Sequence, residues 1–192
     1  MTNKSLETMV YVQLFHEGIP CWTAVPALPV SEDEYILEGN DIYDPDVEIW
    51  QFLPGTRVRV QKHYSGSGKV PDTHLRAVTA VDGIAYIGDF GITGSAIHSV
   101  SRYADRLIVV FVSGGYGRPS GALFHVTFSQ VTGVSDNSTP GQVVLGVCEF
   151  VKPGQPRIFS VMSNSDTACI KLTAATYSIG DYAVGDDAIK KV

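Results

Sequence analysis

Apolar residues recur at every second position over many short stretches of this chain, and glycine or proline closes most of them. Residues 56–61, Thr-Arg-Val-Arg-Val-Gln, are the clearest case. Val58 and Val60 face one way while Arg57, Arg59 and Gln61 face the other, the two-residue repeat of a half-buried strand. Stretches of similar character cover 10–15, 20–25, 33–38 and 47–52, the last with Trp50 and Phe52 on one face. Turns at 16–18 and at Pro54-Gly55, with loops carrying prolines between them, separate the stretches. Five short strands in about fifty residues predict a small barrel or a strongly bent sheet.

Residues 62–74 then concentrate glycine, serine and proline among few apolar side chains. This is linker composition. The expected organisation is an acidic, barrel-like β module over 1–62, a linker over 63–75 and a second β-rich domain over 76–192. Within the second domain, 76–81 and 84–87 read as a hairpin turning at Asp82-Gly83. Ser95 is placed to cap a short helix running to Ala104, with Ile97, Val100 and Tyr103 along one stripe. Residues 107–112 form an unbroken apolar run, as in a strand covered on both faces. Further strands are predicted over 122–128, 143–151, 157–162 and 168–173. The fold class is therefore mainly β, with a β-sandwich or twisted sheet and one short helix following the barrel-like module. No fixed-period repeat points to a propeller or solenoid.

Composition narrows the partners. The chain has 192 residues, 44% of them hydrophobic, enough to bury a real core. No run approaches the roughly 20 apolar residues of a membrane span. The first eight residues lack the apolar centre of a signal peptide, so the expected location is the cytoplasm. Net charge is −6, and all of the excess lies early: residues 1–62 hold ten acids and four bases, residues 63–192 ten of each. A nucleic-acid footprint needs clustered Lys and Arg, so this asymmetry argues against it. An acidic module suits solvation or a basic protein partner.

Candidate chemistry is sparse. Cys21, Cys148 and Cys169 lack the spacing of a zinc or redox motif, and the last two lie in apolar runs as small buried hydrophobes, with an adjacent-strand disulfide as the alternative. Gly66-Ser-Gly-Lys69 lacks the flanking residues of a phosphate loop. Residues 113–121 follow the most apolar strand. There, glycine amides with Tyr116 and Arg118 could meet an anion or a protein, although a flexible hairpin loop is the better explanation. Asp41, Asp44, Asp46 and Glu48 lack the internal glycine of a calcium loop, and they read as a solvated loop or an acidic contact surface. His63 and His74 flank one loop and can converge. His98, with Asp105 or Asp89 and Ser95 or Ser120, is a weak catalytic candidate, as is His125 on a strand face opposite Phe124 and Val126. No metal or cofactor is predicted.

One resemblance is carried by residues 9–62. Leu14, Glu17, Gly18 and Trp22 match an opening motif close to VRLLDEG…VWRPV, and Trp50, Phe52, Pro54, Gly55 and Val58 match a closing one close to EWEFPPG…V. Together they resemble a small family of uncharacterised bacterial proteins. The matched positions are core and turn residues, so the resemblance implies a shared β module and no catalytic role. The expectation is a non-catalytic binding protein, in concrete form an inhibitor or immunity-type protein engaging a basic partner. The alternatives are a small hydrolase or ligand-binding enzyme with its site between the modules, and a homo-oligomeric assembly subunit.

Overall fold

The computed structural model describes residues 8–15, 19–65, 72–88, 91–164 and 167–182. These contain thirteen strands: β1 (Thr8–Leu14), β2 (Cys21–Pro29), β3 (Glu34–Leu37), β4 (Arg57–Ser65), β5 (Asp72–Ile87), β6 (Ala96–Tyr103), β7 (Arg106–Val112), β8 (Leu123–Ser129), β9 (Gly133–Asp136), β10 (Gly146–Val151), β11 (Ile158–Met162), β12 (Ala168–Thr173) and β13 (Thr176–Asp181). The chain divides into two compact units, Met1–Ile87 with Cys148–Arg157, and Gly88–Val147 with Ile158–Val192. Among the described residues no helix is long and apolar enough to cross a membrane.

The first unit is a closed five-stranded barrel. β1 to β5 pair in sequence as an antiparallel meander, and β5 returns to β1. Four successive reversals leave the first and last strands parallel, and they meet through Val10 with Leu75 and Tyr11 with Arg76. Alternation sets the interior: Val10, Val12, Leu14, Val25, Ala27, Val58 and Val60 point in and pack around Trp50 and Phe52. The intervening side chains form the outer wall.

Three expectations about this unit are corrected. Residues 47–52 form no ladder. Trp50 bridges Leu14 and Phe52 bridges Ala85, so this segment lies between β1 and β5 where the two strands part. Backbone bonds from Phe15 to Ile49 and from Tyr86 to Gln51 fix it there. The fifth barrel strand is instead β5, and the expected linker over 63–75 is crossed by paired strand, with His63 opposite His74. Polar composition at 61–64 and 73–74 reflects paired strand on the outer wall, and Gly66-Ser-Gly-Lys69 lies outside the described residues. Asp82-Gly83 makes no turn either, because β5 runs through it. At Gly83 φ is +120°, and a Cβ there would lie 2.8 Å from the Thr56 Cα. Glycine is needed for close approach, which lets the Thr56 hydroxyl donate to the Ile84 carbonyl and accept from the Ile84 amide.

The second unit holds an antiparallel sheet in the order β13-β8-β7-β6 and a smaller one, β11-β12-β9. Phe159 of β11 meets Phe128 of β8 and Tyr177 of β13, with ring centroids 5.2 and 5.8 Å apart. The predicted helix at 95–104 is strand β6. Ile97 pairs with Phe111 and Val100 with Val109, with the register shifting between Ile97 and Ser99. That bulge at His98 lets residues three apart share a face, which imitates helical spacing. Ser95 caps nothing: its hydroxyl is buried and donates to the Gly91 carbonyl. Cys148 and Cys169 are buried free thiols, as their apolar surroundings predicted.

Candidate interaction surfaces

Four of the acidic candidates lie on the loop that follows β3. Gly39 opens it with φ +96°, and its carbonyl accepts from the amides of Ile42 and Tyr43. Trp50 is the anchor beneath. Tyr43 packs on its ring at 4.9 Å, and the indole N–H donates to Glu48 Oε2 at 2.8 Å. Glu48 is thus tied to the barrel core. Asp44 accepts from the Asp46 amide and organises its own turn. Asp41 and Asp46 reach solvent with no described side-chain bond, and Ile42 and Val47, each next to one of them in sequence, are 55% and 65% exposed. Beneath the loop, burial pushes the Tyr43 hydroxyl and the Cys148 thiol each up to about 12, with a Tyr86 hydrogen bond opposing the rise at Cys148. The groups under the loop are therefore neutral at ordinary pH, and its charge is carried by the carboxylates.

A second cluster covers the outer wall where β4, β5, β1 and β2 lie side by side. The His63 and His74 rings converge as their positions predicted, with centroids 5.1 Å apart, and Tyr11 lies 4.6 Å from His74. Arg76 donates from Nε to His74 Nε2 at 3.0 Å, and its guanidinium lies over the Trp22 ring at 4.2 Å. Desolvation, then the Arg76 charge, then His74 lower the His63 pKa. The sequence shows the histidine pair but hides its partners, because Tyr11, Trp22 and Arg76 come together only through barrel closure.

In the second unit, Arg118 lies over the Phe124 ring at 4.3 Å and donates to Asp181 at 2.6 Å. The glycine loop around it is cross-braced by Ser113, whose hydroxyl donates to the Arg118 carbonyl and accepts from the Gly115 amide. Tyr116 is 44% exposed and rests against Gly94. His125 does face away from Phe124 and Val126; its ring covers Gly180 and meets Tyr182 at 4.9 Å. His98 is exposed on the bulge. Asp105 sits past the end of β6, roughly 17 Å or more along the strand from His98. The structure therefore does not bring His98, His125 and Asp105 together. Ser120 is exposed, and Asp89 lies outside the described residues. Among the described residues no group of three metal-ligating side chains converges. No family model, curated protein or solved structure matches the chain.

Proposed function

We propose that this is a non-catalytic binding protein whose barrel unit engages a basic protein through the loop carrying Asp41, Asp44 and Asp46, in the manner of an inhibitor or immunity-type protein. The observation that carries this reading is the side-by-side exposure of Ile42 and Val47 with those carboxylates on a loop anchored to Trp50. Exposed aliphatic side chains supply contact area, and the acids around them select a cationic surface and speed encounter. Anchoring lowers the ordering cost on binding.

The test is capture from lysate of the source cells, at low and moderate salt, by the wild type and by the double variant Asp41→Lys/Asp46→Lys. Asp44 is spared because it organises the turn. The expected result is a basic protein retained by the wild type, released as salt rises, and lost by the variant. Retention that ignores both salt and the variant would remove the electrostatic mechanism, and an empty column would remove the interaction reading.

A further inference from the structure

The outer wall of the barrel carries a feature of opposite polarity to the acidic loop. Among the described residues, Arg76 meets no carboxylate. Nε donates to an imidazole nitrogen, and no described residue accepts from the terminal nitrogens. A surface arginine without a partner is ordinarily mobile and solvated. This one is held in two ways, by stacking on Trp22 and by its bond to His74, so its planar fork is oriented before any ligand arrives. The groups facing it are known from each neighbouring strand. Tyr11 and Gln13 come from β1 and Trp22 from β2, while Gln61 and His63 come from β4 and His74 from β5 itself. None is acidic.

A paired histidine on adjacent strands also invites a metal reading. Arg76 argues against it, since a fixed guanidinium already occupies the His74 Nε2 lone pair and would repel a cation. One permanent cation flanked by two imidazoles suits an anion instead. We propose that Arg76, His63 and His74 form a binding site for a phosphoryl group, free or esterified, with Tyr11 and Trp22 as its aromatic flank. The fork matches two phosphate oxygens, and a dianion rewards protonation of the neighbouring His63 in a way that a carboxylate, held by the fork alone, does not, while His74 stays the acceptor that holds Arg76.

The experiment is NMR of the histidine ring protons of the full chain, titrated with inorganic phosphate, with phosphoserine and with acetate. Sodium chloride at matched ionic strength is the control. Saturable shifts confined to His63 and His74 are expected with the phosphate probes, tighter near pH 6 than near pH 8 because His63 gains a proton. Binding of both phosphate probes assigns the phosphoryl group as such, and binding of inorganic phosphate alone assigns the free anion. Arg76→Gln should weaken binding about tenfold or more, and Arg76→Lys should restore only part of it because the fork is lost. His63→Gln, at a half-buried position on the outer wall, should weaken binding and flatten its pH dependence without disturbing the fold. Shifts that track chloride, acetate binding as tight as phosphate, or affinity unchanged in Arg76→Gln with the fold intact would each overturn the assignment.

Discussion

Each unit lays one arginine over an aromatic ring, Arg76 over Trp22 in the barrel unit and Arg118 over Phe124 in the other, at 4.2 and 4.3 Å. The stacking is alike but the surroundings are not. Phe124 is fully buried, and the Arg118 side chain is 13% exposed and bonded to a carboxylate, so its charge is compensated within the fold. Trp22 and Arg76 are half-exposed, and the bond Arg76 makes is to an imidazole. Stacking alone therefore does not say what an arginine is for. The balancing charge does: where the fold supplies it the residue is a brace, and where the fold withholds it a cation is left for something else to neutralise.

Substitution of the two rings should separate the sites most widely. Phe124→Ala removes a fully buried ring that also stacks on Phe111, and should cost about 3–5 kcal/mol in urea unfolding. Trp22→Ala should cost only about 1 kcal/mol, since the ring is half-exposed. Equal losses would break the contrast. The arginines come next. Arg118→Gln should cost about 1–2 kcal/mol, through lost stacking and a lost charge-assisted bond to the largely exposed Asp181. Arg76→Gln should cost about 0.5 kcal/mol. A larger loss at Arg76 than at Arg118 would make Arg76 the brace.

The smallest effect is in pH. Desolvation and the neighbouring Arg76 and His74 hold the His63 pKa below its ordinary value. The unfolded chain then binds a proton more readily than the folded one. The associated stability is fully present above about pH 6.5 and is lost as pH falls through the depressed folded value. Melting temperature should thus decline more steeply on acidification in the wild type than in His63→Gln. Parallel profiles would show that His63 does not sense Arg76.

Much of the barrel was legible in its residues. Alternation located β1, β2, β3 and β4, and it oriented Val58 and Val60 inward. What failed was the count. Trp50 and Phe52 look like the fifth strand because they alternate and are buried, yet they only bridge β1 and β5. The segment completes a count of five without β5, and the polar residues that end β4 and open β5 have the composition of a linker. Gly83 and the bulge at His98 mislead for a related reason. A glycine needed for close approach and one needed for a turn are the same letter, and an inserted residue turns a two-residue period into three. The acidic loop was visible as composition, although the tie between Glu48 and Trp50 was not. The Arg76 cluster draws on positions from 11 to 76, and no local pattern joins them.

The parallel seam between β1 and β5 also bears on the order of events during synthesis. The partner of Val10 and Tyr11 emerges from the ribosome only after every other barrel strand has been made. Any meander formed by the first four strands before then has an open seam, with the hydrogen-bonding edge of β1 and the apolar side chains behind it uncovered. Trp50 and Phe52 arrive before β5, and the bonds of this segment to Gln13 and Phe15 can form first. The segment that interrupts the seam in the finished barrel is thus placed to shield β1 while the chain is still being made.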